Sequence, residues 1–125
     1  MSVVYDAGVL VAADRDDRAV WADHKVRLEL GIVPTTTAPV VAQVSRSARQ
    51  VQLRRFLRGC DIVAFSPDQA HEVGSLLGKA DTSDVVDAHL VLSAALASSI
   101  VLTSDLDDLR KVADHLVARV SIRNI

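Results

Sequence analysis

The chain has 125 residues, enough for one domain that buries roughly two-thirds of its unfolded surface. Half of its residues are hydrophobic and 24% are charged, which excludes a disordered chain. A net charge of −2, an aromatic content of 3% and a lone Cys60 exclude a uniformly basic nucleic-acid binder, a base-stacking platform and an intramolecular disulfide framework. A single thiol fits a reducing compartment. No signal-like N-terminus and no bilayer-length apolar run is present, so a soluble cytoplasmic protein is expected.

Ser2–Tyr5 is a β-prone run that ends at Asp6. A tight turn at Gly8 and a short apolar helix should follow. Asp16 or Asp17 can cap a helix running to about Leu30, with Val20, Trp21, His24 and Leu28 on its inner face and Lys25 on or beside it. Gly31 stands where a helix C-terminus wants glycine. Ile32–Thr37 reads as the second strand, and Pro39 suits the first turn of a helix over Val40–Arg46. Another helix is expected over Ala48–Leu57, stopped by Gly59, and Asp61–Phe65 reads as the third strand.

Ser66-Pro67 opens a helix through Leu77 that Gly78 should break. Thr82 or Ser83 should cap the next helix, about Asp84–Ala97. Ile100–Thr103 is the fourth strand, Asp105–Leu116 a helix, and Val117–Ile122 the last strand. Strands alternate with helices throughout, with no repeat or linker. The expected fold is α/β: a single domain over residues 1–125 with a parallel sheet of about five strands and helices on both faces. In such sheets the ligand site lies at the carboxyl ends of the strands, where Asp6 and Asp105 are placed.

The stretch Thr82–Asp108 carries five carboxylates around an almost unbroken apolar run: Asp84, Asp87, Asp105, Asp107 and Asp108. Asp84 and Asp87 are three apart on a helix and share a face, which costs stability unless something offsets the repulsion. Asp6 and Asp105 alongside would add to that cost and raise carboxyl pKa values. A hard dication such as Mg²⁺ or Mn²⁺ removes it. Asp84, Asp105 and Asp108 also fit helix capping or the helix dipole, so their signal taken singly is weak. Asp87 is harder to explain that way, because its helix becomes apolar nearly all round. Asp107, Asp14, Asp16 and Asp17 read as exposed.

His89 is rotated roughly 200° from Asp87 and belongs to a core or interface rather than to the acids. No nucleophilic triad motif, P-loop, dinucleotide fingerprint or HExxH is present. Between Leu30 and Cys60 there is no acid but there are Arg46, Arg49, Arg54, Arg55 and Arg58. That segment fits either a solvated face or a phosphate-backbone or acidic-partner surface.

Three segments, VYDAGVLVA from Val4, DVVDAHLVLSAAL from Asp84 and IVLTSDLDDLR from Ile100, resemble the PIN-domain ribonucleases, in particular the VapC toxins of bacterial toxin–antitoxin modules. The resemblance spans essentially the whole chain. It implies a PIN-like three-layer α/β/α sandwich and a Mg²⁺- or Mn²⁺-dependent endoribonuclease. It further implies a homodimer, RNA substrates that include transfer and ribosomal RNA, and a cognate VapB-like antitoxin. Carried over, Asp6, Asp87 and Asp105 are metal-binding catalytic acids. Thr103 and Ser104 match the small hydroxyl residues before the last acid, and Asp84 and Asp108 are supporting acids. Arg46 and Arg49 would contact RNA or partner. One position departs: the family's second acid is a glutamate, and Gln43 stands there, neutral and with one carbonyl oxygen. The competing reading is therefore a PIN-fold binding module with a weakened site. A phosphoacceptor receiver domain fits poorly, because Asp6 is followed by Ala7-Gly8 and no suitable lysine follows the last strand-end loop.

Overall fold

The computed structural model describes residues 2–125. Five strands, β1 (Val3–Tyr5), β2 (Thr35–Thr37), β3 (Asp61–Val63), β4 (Ile100–Thr103) and β5 (Ser121–Asn124), form one sheet in the order β3-β2-β1-β4-β5. Every pairing is parallel. Seven helices connect them: α1 (Ala7–Asp14), α2 (Arg18–Glu29), α3 (Ala38–Val44), α4 (Val51–Leu57), α5 (Pro67–Ala80), α6 (Val85–Leu96) and α7 (Leu106–Ala113). Helix α1 packs against α2, α3 and α4, whereas α5, α6 and α7 pack on one another. The expected three-layer α/β/α sandwich with a parallel five-stranded sheet is the observed architecture.

The centre of the sheet is dry. Val3, Val4 and Tyr5 of β1 are all buried, as a strand covered on both faces requires. The all-threonine β2 survives beside it because its hydroxyls find backbone acceptors. Thr36 Oγ1 donates to the Tyr5 carbonyl at 2.9 Å and Thr35 Oγ1 to the Val3 carbonyl at 3.3 Å. Helix α6 is the most deeply buried, with Ala88 through Ala94 all inside, which accounts for its apolar run.

Several expected boundaries shift, each for a visible reason. Strand β2 starts at Thr35 rather than Ile32. The Ile32 amide closes α2 instead, donating to the Arg27 carbonyl at 2.8 Å, after Gly31 turns the chain at φ 77°. Helix α5 runs through Gly78 to Ala80 and stops where Asp81 takes a left-handed conformation at φ 53°. Helix α6 is capped by Asp84 itself, whose Oδ1 accepts the Asp87 amide at 3.0 Å; Thr82 in turn accepts the Asp84 amide at 3.3 Å. Helix α7 ends at Ala113, and β5 begins at Ser121 rather than Val117. That register sets Ile122 opposite Val101 in the core and leaves Val117 fully exposed.

Helix α2 docks through one buried residue, His24. Its Nδ1 meets the Tyr5 hydroxyl at 2.9 Å, its ring stacks on Phe56 at 4.0 Å, and Gly59 leaves it room: a Cβ there would stand 2.9 Å from His24 Nε2. Leu28 and Lys25, expected on or beside the inner face, are exposed. Arg27 also donates to the Tyr5 hydroxyl at 3.2 Å. Tyr5→Phe would strip both of them of their partner and should cost about 1–3 kcal/mol. Urea denaturation would show this as a lower midpoint with an unchanged slope. An unaltered midpoint would mean that the hydroxyl contributes nothing to docking α2.

Candidate functional site

The site is assembled by the pairing of β1 with β4. Tyr5 stands opposite Leu102, and the Asp6 amide continues the ladder by donating to the Leu102 carbonyl at 3.0 Å. Asp6 thus arrives beside Thr103 at the carboxyl end of the sheet. The Thr103 hydroxyl, fully buried, donates to Asp6 Oδ2 at 2.7 Å and accepts the Asp105 amide at 2.8 Å. The other Asp6 oxygen accepts the Ala7 amide at 2.7 Å, so Asp6 also caps α1. Asp6 is 6% exposed, and both of its carboxylate oxygens are already oriented.

The second acidic group comes from the start of α6. Asp87 is half-buried there, and its carboxyl pKa is pushed up to about 7. Burial is the largest cause, followed by the charges of Asp84 and Asp6 and by that of Asp105. Asp105 is exposed at the mouth, and its carboxyl is also raised. Desolvation leads, then hydrogen bonding to and repulsion from Asp108, then the Asp6 charge. Its side chain does not cap α7, so that role, open from sequence, is not the one it plays.

Structure therefore brings Asp6, Asp84, Asp87, Asp105, Asp108 and Thr103 into one neighbourhood. A cleft of about 150 Å³ is lined by Asp84, Asp87, Asp108, Thr82 and Lys111. Lys111 was not singled out from the sequence. Its only signal was its place one helical turn beyond Asp108. Ser104 faces the other way, against α1, where a Cβ on Gly8 would overlap its Oγ and come within 3.0 Å of its own Cβ. Asp107 is exposed, as expected.

Gln43 lies on α3, which leaves the carboxyl end of β2, and Arg46 and Arg49 lie in the loop that follows it. Gln43 is exposed. Arg46 turns its guanidinium onto the carbonyls of Ser45 at 2.8 Å and Ala42 at 3.4 Å, closing the end of α3. The loop is fastened by Gln50, whose Oε1 accepts the amides of Arg46 and Ser47 and whose Nε2 reaches Asp14 and the Val44 carbonyl. His89 is buried away from the acids. It stacks on Phe65 at 4.6 Å and meets Gln69 Oε1 at 3.1 Å, as the rotation argument requires.

The donor set is all hard oxygen and carries more negative charge than Lys111 balances, which suits a divalent cation such as Mg²⁺ or Mn²⁺. The carboxylates are within electrostatic reach rather than closed around a point. Among the described residues, no group of three or more His, Cys, Asp or Glu side chains stands as a finished metal site.

No protein-family model and no curated protein sequence matches this chain. Solved structures do match. VapBC2 from Rickettsia felis, bound to a DNA fragment from its promoter, aligns with a TM-score of 0.73 at 15% identity, over 100% of this chain and 99% of that one. PAE2754 from Pyrobaculum aerophilum aligns at 0.65 and 13% identity, over 97% and 89%. FitAB bound to the IR36 DNA fragment aligns at 0.65 and 16% identity, over 98% and 94%. The chain has the fold of these proteins from end to end, the PIN-like α/β/α arrangement expected from its motifs. No helix among the described residues is long and apolar enough to cross a membrane.

Asp87 makes the acidic cleft a stability liability. Its folded pKa of about 7 exceeds the ordinary 3.8, so the folded state binds the proton more tightly than the unfolded one. Its contribution is fully favourable below the ordinary value and is lost as pH rises through about 7. In chelator, Asp87→Asn should therefore raise Tm at pH 8 by a few degrees, allowing for solvent screening of a half-buried group. The gain should shrink toward pH 4. Calorimetry at the two pH values checks this, and an equal Tm for both proteins at pH 8 would refute it.

Proposed function

We propose that the protein is a VapC-type PIN-domain endoribonuclease. It acts in the cytoplasm as a toxin, and a cognate VapB-like antitoxin neutralises it. One observation carries the reading: acids from β1, α6 and the β4–α7 junction converge at the carboxyl end of the sheet, where burial and the neighbouring carboxylates push the Asp87 pKa up to about 7. The likeness in fold to VapBC2 and FitAB supports the toxin–antitoxin setting.

Asp6, Asp87 and Asp105 would hold Mg²⁺ or Mn²⁺ and carry catalysis. The bound ion supplies neutralising charge, polarises a phosphoryl oxygen and lowers the pKa of a water. Thr103 and the Ala7 amide hold the Asp6 carboxylate in one orientation, so little reorganisation is needed at the moment of reaction. Asp84 sits one helical turn before Asp87 and adds negative charge where the family glutamate is missing. Asp108 does the same for Asp105, and Ser104 belongs to the same strand-end turn. Attack on the phosphodiester leaves a 5′-phosphate and a 3′-hydroxyl. Arg46, Arg49 or both are assigned to RNA or antitoxin contact, and a homodimer is the expected assembly.

Purified protein should cleave RNA in Mg²⁺ or Mn²⁺ and stop in chelator, and Asp87→Asn should slow it by about 10²-fold or more. Cleavage that survives both treatments would come from a contaminant and would sink the proposal. Asp84→Asn keeps a competent helix cap, so it tests charge alone. Under this reading it impairs cleavage nearly as much as Asp87→Asn, and an inert Asp84→Asn removes the compensating role.

Gln43 favours a second reading, a PIN-fold module that binds antitoxin or RNA without efficient turnover. Gln43→Glu separates the two. A large gain in rate marks the native site as crippled, and an unchanged rate marks it as rebuilt around other acids.

A further inference from the structure

Helix α7 brings one cation into the acidic cleft. Lys111 lines it together with four carboxylates, Asp81, Asp84, Asp87 and Asp108, and with the buried Ala80 and Val112. Asp81 comes from the left-handed turn between α5 and α6, and Asp84 and Asp87 come from the start of α6. Two of these acids are engaged elsewhere. Asp84 caps α6 through the Asp87 amide, and Asp108 is hydrogen-bonded to Asp105. Lys111 is exposed, so its ammonium is open to a ligand in the cleft.

Two structural roles also suit a lysine at this position. It stands in the last turn of α7, where a cation meets the helix dipole, and it follows Asp108 by three residues on one helix face. Arg110 occupies the same last turn but lines a different cavity, so it shares the first role without the cleft. Direction distinguishes Lys111 further. Helical side chains lean toward the helix N-terminus, and α7 begins directly after Asp105, about 9 Å along the axis from Lys111. A four-carbon stem leaning that way returns the ammonium toward the acids. An RNA phosphate that reaches them meets several carboxylates on a chain of net charge −2. A divalent ion offsets two charges, and a fixed ammonium beside it offers a charge-assisted hydrogen bond to a phosphate oxygen.

We propose that Lys111 is a substrate-contacting residue, whose ammonium holds a non-bridging oxygen of the phosphodiester cleaved at the acidic cleft. This rests on the endoribonuclease reading and adds to it the residue that receives the reacting phosphate. The ammonium and the divalent ion act on the same phosphate but compete for the same carboxylates. Removing the lysine therefore has opposite effects on the two ligands. The acids hold the metal more tightly, whereas the phosphate loses a partner. A lysine that only supports α7 produces no such opposition.

The test compares wild type with Lys111→Gln, Lys111→Arg and Arg110→Gln, after circular dichroism and Tm confirm that these exposed substitutions leave the fold intact. Mn²⁺ binding to the RNA-free protein is read by isothermal titration calorimetry. Lys111→Gln should bind Mn²⁺ about 3–10-fold more tightly, because a competing charge is gone. In Mn²⁺ its kcat/KM for RNA should nevertheless fall by about 10²-fold. A dinucleotide should suffer the same loss as a long RNA, because the contact is made at the reacting phosphate. Lys111→Arg should keep the wild-type metal affinity and recover part of the rate, and Arg110→Gln should leave both unchanged. A Mn²⁺ affinity that is unchanged or weaker in Lys111→Gln overturns the proposal. So do equal losses in Arg110→Gln and a loss confined to long RNA. Chelator-sensitive cleavage by wild type with a fully active Lys111→Gln removes the proposal alone. A wild type that cleaves no RNA, or cleaves it equally in chelator, removes the endoribonuclease reading and the proposal with it.

Discussion

The Thr103 hydroxyl is the joint on which the site depends. It donates to the Asp6 carboxylate and accepts the Asp105 amide, tying the carboxyl end of β1 to that of β4 inside the protein. Both bonds exist because the β1–β4 ladder runs in register to Leu102 and one residue beyond, through the Asp6 amide. A slip of one residue would reverse the faces of every side chain on β1 and turn Tyr5 and Asp6 away from their partners. The buried β1 therefore fixes more than a core. It sets the separation and orientation of two acids that are far apart in the chain.

What this joint assembles is unfavourable by itself. Folding concentrates carboxylates at the sheet end, burial and neighbouring charges raise Asp87, and Asp108 with Asp6 raises Asp105. The fold tolerates them because several carboxylates also do structural work. Asp6 caps α1 and Asp84 caps α6, so the backbone amides at two helix starts offset part of the charge. Asp87 has no comparable compensation, and it is the residue whose protonation the environment changes most clearly. Carboxylates gathered at this cost to stability are a common arrangement at functional sites.

Charge is divided across helix α7. Asp108 and Lys111 line the acidic cleft, and Arg110 lines a cavity of about 590 Å³ together with Arg119 and Arg123. The Gln50 loop immobilises the arginine-rich segment through its own backbone, and Arg46 is folded onto the end of α3. Basic residues that look alike in the sequence thus divide into those that hold the fold and those that remain exposed.

Much was legible before any coordinates. Period and punctuation identified all five strands and all seven helices, because a parallel sheet buried on both faces demands near-continuous apolar runs such as Val3–Tyr5 and Ile100–Thr103. The position of Asp6 and Asp105 after such runs, and the shared face of Asp84 and Asp87, followed from helix and strand geometry alone. Boundaries set by hydrogen bonds to distant or competing partners did not. Gly78 remains helical, Asp84 displaces Ser83 as the cap, and β5 starts late because Ile122 must meet Val101. Thr103 stood out only as a small hydroxyl before the last acid, so its bonds to Asp6 and Asp105 were hidden, and Lys111 was not singled out at all. The sequence by itself determined which residues are apolar, which acids end the strands, and hence the α/β class and the end of the sheet where those acids meet. Only the tertiary structure decided which acids share a field, which hydroxyl joins them and which arginines stay free of the fold. Those properties depend on through-space distance and burial, and chain order encodes neither.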